Sequence, residues 1–123
     1  MLYIGIDLSD KFFDSCIINQ YGDVLDRNQF DFDHDGFHSF IQVIHKHYQQ
    51  FQEEECIIGL ENPRSRLVDF LNQRGYTVML TQPNAIYNYR KSRTPSGAKS
   101  DQGDAHLISD YVREHHRNLN SIT

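Results

Sequence analysis

This sequence of 123 residues reads as an α/β protein built on a mixed five-stranded sheet, three antiparallel strands followed by parallel ones, with helices on both faces. Two short runs, Leu2–Leu8 and Cys56–Leu60, are almost continuously apolar, as strands covered on both faces are. Two further strand-like runs follow the first after short turns, which marks an antiparallel opening. Segments of helical period separate the later strands, and parallel neighbours require such crossovers.

Leu2–Leu8 is the expected central strand. Residues 12–19 and 24–32 are the next two, joined by Gln20-Tyr21-Gly22-Asp23, whose Gly and Asp suit a hairpin turn. Phe37, Phe40, Ile41, Ile44, Tyr48 and Phe51 then recur at spacings of three, four and seven, one apolar stripe on a helix of about four turns. Asp33 or Asp35 can cap its start. After the polar block 52–55, Cys56–Leu60 is the second buried strand. Asn62-Pro63 reads as a cap followed by proline in a first helical turn, with Leu67, Val68, Phe70 and Leu71 on the buried side and Gly75 as the stop. Residues 76–81 make a short strand, and Gln82-Pro83 opens a short helix through Tyr89. Residues 90–99 are basic around Thr94-Pro95-Ser96-Gly97, the composition of a mobile loop. Ser100 caps a last helix to about Arg117. Residues 1–117 thus form one domain, and residues 118–123 read as the start of a linker.

Hydrophobic residues make up 38% and charged residues 24%, which excludes disordered and fibrous classes. Cys16 and Cys56 sit in apolar runs, at no disulfide or zinc spacing, and suit a reducing, cytoplasmic setting. No apolar run reaches membrane-spanning length, so no membrane partner is expected. The net charge of −5 conceals an asymmetry: residues 1–61 carry twelve acids against Lys11, Arg27 and Lys46, and residues 62–123 five acids against nine Lys and Arg. The second half is the better candidate to face a polyanion, although such charges commonly only solvate a surface.

Acidic side chains rarely occupy positions whose pattern points inward. Four do here. Asp7 stands two residues after Gly5 on the first strand, hence on the same face, and Glu61 stands two after Gly59 at the end of the second buried strand. A glycine beneath each acid lets another element approach closely. The inward stripe of the last helix, Ala105, Ile108, Tyr111, Val112 and His115, begins at Asp101 and Asp104, three apart on one helical face. Singly, each acid has an ordinary reading, as a turn residue or in the favourable first turn of a helix. Together they suggest a carboxylate cluster. Two carboxylates about 4 Å apart repel by roughly 4 kcal/mol at an effective dielectric near 20, so a cation must offset them. Oxygen ligands suit Mg²⁺ or Mn²⁺, and such clusters recur in metal sites that cleave phosphodiesters.

Ile4-Gly5-Ile6-Asp7-Leu8-Ser9, the Glu61 after an apolar strand, and Lys99-Ser100-Asp101-Gln102-Gly103-Asp104-Ala105 together resemble the DEDD transposases of the insertion-sequence 110 family, over nearly the whole chain. The Lys-Ser-Asp-x-x-Asp-Ala run is the most specific part. The resemblance implies a ribonuclease H-like fold of the RuvC type and an acidic tetrad at Asp7, Glu61, Asp101 and Asp104. It also implies metal-dependent DNA strand cleavage and transfer, a guide RNA as second partner, and a homo-oligomer in the full-length protein. Two departures stand out. Family members often carry a Ser/Thr-Gly pair soon after the glutamate, where this chain has Asn62-Pro63-Arg64-Ser65. The family's carboxy-terminal domain, with its serine nucleophile, is not among these residues, so whether residues 1–117 act alone stays open.

Arg90, Lys91, Arg93 and Lys99, with Tyr87 and Tyr89 for stacking, are the expected DNA contacts, since basic side chains interleaved with aromatics fit single strands or distorted duplexes. A solvated loop is the bland alternative. The seven histidines give no zinc spacing: His45 and His47 diverge on a helix, and His115 and His116 are adjacent. His106 lies near Asp104 in sequence, where a surface position competes with an outer-shell one. No serine-hydrolase turn or nucleotide-phosphate loop is present, and a sugar kinase of the actin-like class would need a second glycine-rich turn that is not found. A stand-alone Holliday-junction-type endonuclease and a non-catalytic nucleic-acid-binding or dimerisation module remain as rivals.

Overall fold

The computed structural model describes residues 1–51, 55–93 and 103–122. The run Leu2–Leu8 forms strand β1 at the centre of the sheet, and Leu2 to Ile6 are buried because both of its faces are covered. β2 (Phe12–Ile18) and β3 (Val24–Asp31) lie antiparallel on one side of it, and β4 (Cys56–Leu60) and β5 (Thr77–Leu80) parallel on the other, in the order β3-β2-β1-β4-β5. The hairpin between β2 and β3 turns at Gly22, whose φ of 89° favours glycine, while the Asn19 side chain accepts from the amides of Tyr21 and Asp23.

Helix α1 (His34–Phe51) starts where Asp33 accepts from the amide of Gly36, the expected cap. Its stripe of Phe37, Phe40 and Ile44 packs with α2 (Arg66–Gln73) on Leu2, Ile4, Ile6, Phe13 and Ile17. Phe13 is the hub, edge-on to Phe40 with ring centres 5.5 Å apart. The opposite face carries Tyr3, Cys16, Ile18 and Ile57 against α3 (Pro83–Arg93) and α4 (Gly103–His115), through Ile86, Ala105, Ile108 and Val112. Alternate residues of β1 therefore serve two different cores, which is why its apolar run is unbroken.

Three local readings require correction. The second helix begins at Arg66, not at Pro63, because Ser65 is the cap: its hydroxyl accepts from the amide of Val68. Asn62 instead closes a tight turn, accepting from the amide of Arg64. The third helix runs through Arg93, so residues 90–93 of the expected basic loop are helical; Arg and Lys are good helix formers, and their charge said nothing about backbone order. Residues 94–99 and Ser100 lie outside the described residues. After α4 and a short 3-10 turn (His116–Asn118), the stretch expected to begin a linker runs along β5: Leu80 donates to the carbonyl of Asn120, and Ile122 donates to that of Val78. Among the described residues no helix is long and apolar enough to cross a membrane.

Candidate active site

Gly5 and Gly59 are partners across the parallel β1–β4 pair. A β-carbon on Gly5 would meet the backbone of α4, 2.0 Å from the carbonyl oxygen of Ala105 and 2.4 Å from the amide nitrogen of Ser109; one on Gly59 would meet the Val112 side chain at 2.2 Å. The glycine pair is thus a notch into which α4 settles, and the expectation that glycines beneath the acids admit another element is met. Two residues beyond each glycine the chain reaches Asp7 and Glu61, at the carboxyl ends of adjacent parallel strands, the usual place for a site in an open α/β sheet.

The seating of Ala105 brings its neighbour Asp104, in the first turn of α4, to the same end of the sheet. Asp7 and Glu61 line one cleft of about 290 Å³ with Leu8, Asn62, Pro83 and Ile108. Glu61 faces solvent, yet partial desolvation of its carboxyl, reinforced by the negative charges of Asp104 and Asp7, holds its pKa above the ordinary glutamate value, while Arg90 works the other way. Glu61 therefore lies within electrostatic reach of both Asp104 and Asp7. Asp101 and Lys99 lie outside the described residues.

Sequence reasoning missed two neighbours. Asp14 is the β2 partner of Asp7 and shares its face, with its carboxylate accepting from the Gln29 amide at 3.0 Å. The signal was an acid at the alternation of Cys16 and Ile18. The second is the part played by Arg90. Ile86, Tyr89, Arg90 and Arg93 follow the helical i, i+3, i+4, i+7 spacing and share the side of α3 that meets α4; from there Arg90 forms an ion pair with Asp104, both side chains at least three-quarters buried. An arginine on an inward helical stripe demands an acidic partner, but its identity lies 14 residues away.

The other expected DNA contacts divide. Lys91 lies over the ring of Tyr87 at 4.8 Å, and Tyr87 is 49% exposed, an open cation–aromatic pair. Tyr89 is a correction: it is only 9% exposed, its ring stands edge-on to Tyr111, and its hydroxyl accepts from Arg93, so no base can stack on it. Arg93 also pairs with Glu114 at 2.9 Å. His106 lies 3.4 Å from Asp110, and burial lowers its pKa.

The side chains that share this end of the sheet offer carboxylate oxygens, the ligand type of hard divalent cations. Among the described residues no three His, Cys, Asp or Glu side chains are grouped closely enough to hold a metal ion ready-made. The donor chemistry fits Mg²⁺ or Mn²⁺; the described acids alone do not complete a cage.

No curated protein matches the chain. The sequence profile of the DEDD transposases of insertion sequence 110, described as a transposase, matches residues 4–123, which is nearly the whole length. With that match and the sheet order above, the fold is ribonuclease H-like, and the chain belongs to the DEDD transposase family of insertion sequence 110.

Proposed function

We propose that this domain carries out metal-dependent DNA strand cleavage and transfer during transposition of a mobile element, with Asp7, Glu61, Asp101 and Asp104 holding one or two Mg²⁺ or Mn²⁺ ions. The observation that carries this reading is that Asp7 and Glu61, at the ends of adjacent parallel strands, line one cleft, while the seating of α4 against Gly5 and Gly59 brings Asp104 to the same end of the sheet. Bound there, the metal would polarise the scissile phosphate, activate the attacking hydroxyl and stabilise the leaving oxygen.

The chain's own residues position and balance these charges. Asp7, at the end of the central strand beside Asp14 on β2 and next to β4, would supply carboxylate oxygens to the ions. Glu61 lines the cleft from the neighbouring strand, and Asp104 stands at the same end of the sheet in the first turn of α4. Asp101, three residues before Asp104 in sequence, would supply the fourth carboxylate. Lys91 with the exposed Tyr87, and Lys99, guide the DNA backbone and a splayed base toward the acids. Family membership supports DNA as substrate. A guide RNA, a homo-oligomeric assembly, a further domain carrying the nucleophilic serine, and a cytoplasmic setting belong to the same proposal.

Calorimetric titration of the protein with Mn²⁺ tests it. Asp7→Asn is expected to bind at least tenfold more weakly than the wild type, and equal affinity in both would overturn the reading.

A further inference from the structure

Arg90 is an unusual neighbour for a metal site. It projects from the inward side of α3, pairs with Asp104, and its charge reaches Glu61, so one guanidinium serves two of the proposed ligands. Both members of the pair are largely withdrawn from water, at 17% and 25% side-chain exposure, which makes the pairing stronger than an open surface contact. A guanidinium supplies one positive charge where a divalent ion supplies two, and it takes up one of the two carboxylate oxygens of Asp104. Arg93, one turn on, is held elsewhere by Glu114 and Tyr89, so Arg90 is the α3 cation committed to the acids.

We infer that Arg90 is a charge-balancing latch: it neutralises the acidic pocket before metal arrives, and metal loading displaces it from Asp104. The latch rests on the metal-holding reading of the site. It holds the acids compatible with a folded metal-free domain, and its release leaves a guanidinium at the rim of the cleft, where a DNA phosphate is the matching anion. The latch makes metal entry and phosphate binding cooperative, because each takes up a charge the other sets free.

Mn²⁺ titration of the wild type, Asp7→Asn, Arg90→Gln and Arg93→Gln separates the two ideas. Removal of the competing cation is expected to tighten Mn²⁺ binding about fivefold in Arg90→Gln, and Arg93→Gln to leave it unchanged. If Asp7→Asn weakens binding while Arg90→Gln binds no more tightly than the wild type, the latch is wrong and the metal site stands. If Asp7→Asn binds as the wild type does, the site itself fails and the latch with it. Should Arg90→Gln not fold, nitrogen-15 NMR of the wild-type Arg90 guanidinium during Mg²⁺ titration gives the answer. Its resonance is expected to shift toward that of a solvent-exposed arginine, and an unmoved resonance at saturating Mg²⁺ would overturn the proposal.

Discussion

The carbonyl oxygen of Ala105 lies 2.0 Å from the point where a β-carbon on Gly5 would stand. Since the obstruction is backbone, relief requires α4 to lift off the sheet, and Asp104 would leave this end of the sheet with it. Gly5→Ala is therefore expected to destabilise the domain by about 3 kcal/mol or more, lowering the thermal midpoint by about 10 °C or more. Gly59→Ala meets side-chain methyl groups only, those of Val112, Ile108 and Thr81, and should cost about 1–3 kcal/mol. A Gly5→Ala protein that melts within about 2 °C of the wild type would show that α4 does not rest where described.

Glu61→Gln probes the crowding of negative charge. A carboxyl whose pKa is raised in the folded state holds its proton more tightly there than in the unfolded chain, so its ionisation costs stability. That cost is absent below the ordinary glutamate range, grows as the pH rises to the raised folded value, and is complete above it. Without metal, Glu61→Gln should accordingly raise the thermal midpoint at pH 7 and leave it unchanged at pH 3. Solvent screening of the exposed side chain keeps the gain below about 1 kcal/mol. An equal change at both pH values would mean that the charge of Glu61 is not what matters.

The cysteines offer a check on the two cores. Burial pushes the Cys56 thiol up to about 11 and raises Cys16 as well, so both are thiols at neutral pH. Iodoacetamide at pH 8 should modify the native protein at least about a hundredfold more slowly than the urea-unfolded chain. Fast labelling of either residue without denaturant would contradict the packing of the sheet.

Lys91 and Tyr87 form the open part of the expected DNA surface. Lys91→Ala should reduce the salt slope of DNA binding by about one, and Tyr87→Ala should weaken single-strand binding by about 1–3 kcal/mol. Arg93→Ala should change the slope less, because its guanidinium already faces Glu114. A slope untouched by Lys91→Ala, measured by fluorescence anisotropy across a salt series, would move the interface elsewhere.

The strands were legible because burial on both faces leaves continuous apolar runs, and the repeated glycine-apolar-carboxylate pattern at 5–7 and 59–61 pointed to the place where α4 settles. What escaped was whatever depends on a partner distant in the chain. Asn62-Pro63 has the composition of a helix start, but Ser65 holds the cap because its hydroxyl reaches the amide of Val68. The basic residues 90–93 read as loop because they run into Thr94-Pro95-Ser96-Gly97, although they keep helical spacing with Ile86 and Tyr89. Tyr89 looked available because nothing local revealed Tyr111 against its ring. Asp14 entered the site's surroundings only once the β1–β2 register was known.

Anomalous diffraction from crystals of the protein soaked in Mn²⁺ bears most directly on the pocket itself. A manganese peak within coordination distance of Asp7 and at least one of Glu61, Asp101 or Asp104 is the expected result. Well-ordered manganese bound only elsewhere, with the Asp7 carboxylate left unliganded, would contradict it.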